Sequence, residues 1–154
     1  MIELDFDDKE LQKLLKKAVK ENPQRVQNEL DRAGLIVETG AKNRTIVDTG
    51  RLRSSIHTKT QGQVSDEGKL QGGSSYTYSD NAGSSYDGTL DVNPKPLEVY
   101  VGTNVVYAYK IHSKGGVRSN ARLGGNGKGF LFNALEAHKP VFSKRLKEVF
   151  GEIK

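Results

Sequence analysis

The sequence predicts an α+β fold: a small antiparallel sheet packed against two N-terminal helices and a long C-terminal helix that Pro140 kinks or divides. Three observations lead there. Apolar residues recur at the three-and-four spacing of one helical face in two blocks before residue 45 and in another after residue 129. Between them, "PLEVYVGTN" alternates Leu97, Val99 and Val101 with Glu98 and Tyr100, the period of a strand with one buried face. The length of 154 residues suits a single domain spanning 1–154, so these elements should share one folded unit.

In "DDKELQKLLKKAVKEN", Leu11, Leu14, Leu15, Ala18 and Val19 line one face, with Lys13, Lys16, Lys17 and Lys20 elsewhere around the helix. Asp7 or Asp8 can cap its start. Asn22 ends it, because the residue before a proline is driven out of the helical region. Pro23 then suits the first turn of a second helix, from about Pro23 to Asn43, with Val26, Leu30, Ala33, Val37 and Ala41 inward. Gly34 falls on or near that face. It could admit another element closely, but the preferred reading is that it is tolerated, at about 1 kcal/mol against Ala.

The stretch "TIVDTGRLRSSI" follows. Its Asp48-Thr49-Gly50 could be the tripeptide of an aspartic protease or the start of a short helix. Proteolysis needs two such carboxylates sharing a proton, and the chain holds one copy, which leaves only a homodimer. A helix start needs less. Asp48 or Thr49 can accept hydrogen bonds from first-turn amides, a cap worth about 1 kcal/mol. Leu52 and Ile56 then fall four apart and face inward, while Arg51 and Arg53 project elsewhere. Capping is the reading adopted.

A strand should cover Ser55 to Gln61. The segment 62–93 has no sustained period and holds Gly72-Gly73 and Gly83 among many serines, so it is expected to be a polar flexible insert. Tyr76, Tyr78 and Tyr86 could anchor it on a surface, and an ordered β-excursion is the second choice. "VVYAYKIHS", rich in β-branched and aromatic residues, should pair with "PLEVYVGTN" as a hairpin turning at Gly102-Thr103-Asn104. The final helix buries Leu131, Ala134, Leu135, His138, Phe142, Leu146 and Val149. Because this spacing survives across Pro140, a kink is favoured over a break.

Composition narrows the function classes. Hydrophobic residues make up 34% and Trp is absent, a thin apolar supply that leaves some of the chain as loop or in need of a partner. No apolar run approaches the ~20 residues of a membrane span, and the acidic "MIELDFDDKE" is unlike a signal peptide, so a soluble, cytosolic chain is expected. There is no Cys for disulfides or thiolate metal sites. The net charge of +5 is unevenly divided: Thr60 to Pro94 carries −4 and the remainder +9. A basic body with an acidic insert would attract polyanions while one segment repels them.

No chemistry-bearing motif survives inspection. "RLGGNGKGF" departs from a phosphate-cradling loop at Arg122 and at Gly129. Lys114, Arg118, Arg122 and Lys128 make this region basic, with no acid from Ser113 to Leu135, which suits phosphates or an acidic patch on a protein. His57, His112 and His138 share no metal-ligand spacing, and His138 reads as a core histidine. Neither a catalytic set, a metal nor a cofactor is expected.

The ordered series helix, helix, "VDTGRLRSSI", polar excursion, "VYVGTNVVYAYKIHSKGG", glycine-rich basic loop and "GFLFNALEAHKPVFSKRLKEVF" resembles the neck or head-tail joining proteins of long-tailed bacteriophages and prophages, also described as tail-completion or minor structural proteins. The resemblance is carried by Asp48-Thr49-Gly50-Arg51-Leu52-Arg53-Ser54-Ser55-Ile56, by Gly102, Thr103, Asn104, Tyr107 and Ala108, and by Phe130 and Leu131. It spans about Val26 to Phe150 without the tyrosine-rich insert. After Tyr-Ala the family usually has a glutamate and then Gly-Thr, where this chain has Ile111-His112-Ser113-Lys114-Gly115. Neutral and basic groups thus stand where the family has an acid.

The resemblance implies a non-enzymatic virion protein at the head-tail junction, made in the bacterial host cytoplasm. It implies a ring of copies that docks on other connector or tail proteins, with DNA passing in the channel, no membrane partner, and a monomer in isolation. Lys114, Arg118, Arg122, Lys128, Tyr76, Tyr78 and Tyr86 are then the candidate partner contacts. The alternative is a basic nucleic-acid-binding module, although half of the tyrosines lie in the acidic region, away from the basic residues.

Overall fold

The computed structural model describes residues 9–45, 51–60, 63–64, 70–71, 75–79, 85–89, 92–115 and 127–151. The fold is α+β, as the sequence predicts. Helix α1 (Lys9–Glu21) and helix α2 (Pro23–Arg44) meet at Asn22, whose side-chain oxygen accepts the Arg25 N–H at 3.0 Å and caps α2. At the far end of α2, fully buried Thr45 donates both its N–H (2.9 Å) and its hydroxyl (2.8 Å) to the Ala41 carbonyl. The capping roles expected of Asp7 and Asp8 fall outside the described residues.

The C-terminal helix α5 (Phe130–Phe150) packs along both α1 and α2. It is one helix through Pro140 and does not divide there. Pro140 and Glu136, whose carbonyl the proline cannot serve, are both exposed, and water can take the missing donor's place. Glu29 on α2 and Arg145 on α5 tie the helices with two parallel bonds, Nε to Oε2 at 2.5 Å and Nη2 to Oε1 at 3.0 Å. These hydrogen bonds hold the Glu29 carboxyl below its ordinary range.

Two apolar clusters result among the described residues. One joins α1, α2 and the end of α5 through Leu11, Ala18, Val26, Leu146 and Phe150. The other gathers Val37, Ala41, Leu52, Ile56, Val105, Ala108, Phe130, Ala134, Leu135 and Phe142. It includes helix α3 (Arg51–Ser55), where Leu52 and Ile56 are buried as their four-residue spacing predicts.

The packed sheet pairs β1 (His57–Thr60) antiparallel with a strand at Val99–Gly102, His57 lying opposite Gly102 and Thr60 opposite Val99. The expected hairpin of 97–101 with the segment after Gly102 is therefore incorrect. After the turn, Ala108–Lys114 is a helix. Val105, Ala108 and Ile111 recur at three-residue spacing, and burying them on the second cluster outweighs the strand preference of the β-branched residues around them. Within the 62–93 insert, β2 (Gln63–Val64) pairs with β3 (Leu70–Gln71), and β4 (Ser75–Ser79) with β5 (Ser85–Thr89), all antiparallel. These strand pairs lie within the segment expected from the sequence to be a polar insert, and β4 lies against α3. The strand at Val99–Gly102 is then β6, and the helix at Ala108–Lys114 is α4.

Gly34 is also read differently from its sequence expectation. An added Cβ there would lie 2.5 Å from Val99 Cγ1 and 2.7 Å from Thr58 Cγ2, so both strands press on α2 at this glycine. One turn later, Glu38 Oε2 accepts the Thr58 N–H and hydroxyl, each at 2.7 Å, while Lys42 bonds Oε1. Ahead of β6 the chain reverses at Lys95–Glu98, the Glu98 N–H donating to the Lys95 carbonyl at 3.1 Å. Leu97 takes φ +66° in this turn. Its N–H donates to Gln27 Oε1 at 2.6 Å, and its side chain packs on the α1 cluster.

Candidate functional site

The two motif segments singled out in the sequence converge. Ser55, ending α3, donates its hydroxyl to the Leu52 carbonyl at 2.8 Å. With that proton committed, the 2.5 Å contact between Ser55 Oγ and Thr103 Oγ1 has Thr103 as donor. Thr103 Oγ1 in turn accepts the Val105 N–H at 3.2 Å. A chain of three hydrogen bonds thus joins α3, the end of β6 and the turn into α4. Below it lie the apolar side chains of Leu52, Ile56, Val105, Ala108 and Phe130.

His57 and His112 flank this junction. His57 is buried, with Nδ1 2.7 Å from the Ser55 carbonyl, so Nδ1 carries a proton and donates. The neighbouring Ser55 hydroxyl donates to a backbone carbonyl, so serine and histidine fix the backbone here instead of forming a nucleophile and base. The His112 ring stands edge-on to Phe130 at 5.2 Å, and its carbonyl accepts the Gly129 N–H at 2.7 Å. Its Nε2 is buried with no hydrogen-bond partner among the described residues, and burial holds its pKa below the ordinary value. Gly129 takes φ +65°, and Asn133 Nδ2 reaches back to the Lys128 carbonyl at 3.0 Å, setting the lead-in to α5.

Of the motif residues, Leu52, Thr103 and Ala108 are brought together. Arg51 is half-buried at the start of α3, Gly102 closes β6 opposite His57, and Asn104 is exposed. Asp48, Thr49 and Gly50 fall outside the described residues, as do Arg118 and Arg122. Lys114 ends α4 and Lys128 precedes α5, both exposed. Tyr76 and Tyr78 lie on β4 and Tyr86 on β5, Tyr78 directly across from Tyr86. Among the described residues no group of His, Asp or Glu could hold a metal ion.

Sequence reasoning missed the outer edge of α4. Val106 is 94% exposed, Tyr109 81% and Tyr107 40%, alongside exposed Lys110, Ser113 and Lys114. The signal was present: once Val105, Ala108 and Ile111 are read at helical spacing, Val106, Tyr109, Lys110 and Ser113 share the opposite face. This face stands on a fixed base, because Ala108 is buried in the core and the hydroxyl chain pins the turn that precedes it. Large apolar side chains held out into solvent on a rigid mount are suited to contact with another macromolecule. No family model, curated protein or solved structure matches the chain.

Proposed function

We propose that this chain is a joining protein of the phage head-tail junction, acting without catalysis by assembling into a ring and docking on connector and tail components. The observation that carries the reading is the exposed Val106 and Tyr109 edge beside a tightly bonded junction of the two resemblance-bearing segments. A ring needs heterologous contacts, in which a patch on one subunit meets a different patch on the next and the rotation closes. An apolar, basic edge at Val106, Tyr109 and Lys114, and a sequence of net charge −4 from Thr60 to Pro94, offer two unlike partners for such a contact. Thr103, Leu52 and Ala108 act as scaffold, and Val106, Tyr109 and Lys114 as contacts.

The test is complementation of a phage lacking the gene. Val106→Asp with Tyr109→Asp should leave a folded subunit while unjoined heads and tails accumulate and infectious titre falls at least a hundredfold. Deletion of 72–88 should do the same through the insert. Wild-type titres from both would overturn the docking role.

A further inference from the structure

On the side of the molecule formed by α1, Lys9, Lys13, Lys16, Lys17 and Lys20 are all exposed, and at 3.6 residues per turn they fall within an arc of about 100°. We infer that this arc is a binding face for the phosphate backbone of duplex DNA. Lys17 lies 3.8 Å from Glu21, and no carboxylate pairs with Lys9, Lys13, Lys16 or Lys20 among the described residues. Glu10 and Glu21 stand at the edge of the arc, outside the row formed by the other lysines. A helix exposed only to water gains from Glu and Lys alternating at four-residue spacing. Here Lys9 with Lys13, Lys13 with Lys17, and Lys16 with Lys20 are like-charged neighbours that repel, and a polyanion relieves all three at once.

The dimensions and the chemistry agree on the ligand. Lys9 to Lys20 spans roughly 16 Å of helix, the axial length occupied by about five phosphates of one DNA strand. The opposite face of α1 is already packed: Leu11 and Ala18 are fully buried against a cluster that includes Leu146 and Phe150. No apolar face is therefore left to enter a lipid surface, which separates this helix from membrane-binding amphipathic helices. Its exposed residues include no aromatic ring on which an unpaired base could stack, so the contact is with backbone, indifferent to sequence, and favours the duplex. The inference does not depend on the joining role, since it concerns the isolated subunit.

The experiment is salt-titrated binding of the full chain to a labelled 30-base-pair duplex of mixed sequence. The wild type should bind with Kd of about 10⁻⁴–10⁻⁶ M near physiological salt, and log K should fall against log salt with a slope of roughly −4. Substituting Lys9, Lys13, Lys16 and Lys20 together by Gln, a good helix former, should weaken binding at least tenfold and flatten the slope by about 3 to 4, with unchanged circular dichroism. Lys13→Gln alone should flatten it by about 1, which keeps the test decisive if the fourfold variant does not fold. Four results would each overturn the face: no duplex binding at 50 mM salt, slopes unmoved in both variants, tighter binding to a single strand of equal length, or tighter binding to vesicles containing phosphatidylserine.

Discussion

Gly34 and Gly40 lie on the same helix, yet their surroundings make them unequal. At Gly34 a methyl group would collide with two β-branched side chains held in a sheet, whereas at Gly40 it would meet only the outer atoms of His138 (2.9 Å) and Arg44 (3.2 Å). Alanine favours a helix over glycine by about 1 kcal/mol. At Gly34 that gain is overridden, and Gly34→Ala should lower stability by about 1–3 kcal/mol in urea unfolding, while Gly40→Ala should change it by less than about 1 kcal/mol. The imidazoles of His112 and His138 give a second prediction at this scale. Burial lowers both pKa values below 6.5, and at His138 the Arg44 guanidinium adds to the effect. The unfolded chain takes up protons there that the folded chain refuses. This contribution is thus complete above the ordinary pKa and lost as pH falls from about 6.5 toward the depressed values. Glu29, lowered from 4.5 chiefly by its Arg145 hydrogen bonds, adds a further loss at more acid pH. Unfolding midpoints measured between pH 8 and 5 should fall across this range, and His112→Phe should remove part of the drop.

The hydroxyl chain decides whether α4 stays seated. Thr103→Val would leave the buried-side Val105 N–H without its acceptor and Ser55 without its donor, at a cost of about 1–3 kcal/mol. Thr103→Ser should restore most of it, and amide exchange at Val105 should rise only in the valine variant. How much of the elements could be read beforehand differs by kind. The end of α1, the Asn22-Pro23 junction, the inward faces of Leu52 and Ile56 and the continuity of apolar spacing across Pro140 were legible, because each depends on neighbours within a turn or two. The partner of β6 was not. It lies some forty residues upstream in β1, and a period of two says that a strand exists without saying which strand it meets. The same limit hid α4. Its β-branched and aromatic residues favour extension locally, and only the pocket formed by Leu52, Ile56 and Phe130 makes the helical face of Val105, Ala108 and Ile111 the better solution.

For the whole molecule, the thin apolar supply noted in the sequence takes a definite form. Two modest clusters are strung along α2 and α5, and a paired Glu29 and Arg145 ties the same two helices. The candidate site was half legible at this level: the order of the motifs brought Leu52, Thr103 and Ala108 into view, but the exposed edge was hidden as long as 105–113 was taken for a strand. Because that edge contributes nothing to either cluster, Val106→Asp with Tyr109→Asp should shift the unfolding midpoint little while disabling particle assembly. Coincident loss of fold and assembly would mean that the edge is part of the scaffold.

The reversal before β6 has a bearing on how such a chain can change over time. Leu97 sits in a backbone twist that glycine would adopt more easily, and it is moored there by Gln27 and by its side chain against the first cluster. The mooring lies downstream of the whole excursion, so whatever happens between 62 and 93, the polypeptide re-enters the body at one appointed spot and β6 meets β1 in the same alignment. Because β4 itself lies against α3, material can be added to or trimmed from the excursion outside β4 with the alignment of β6 on β1 kept.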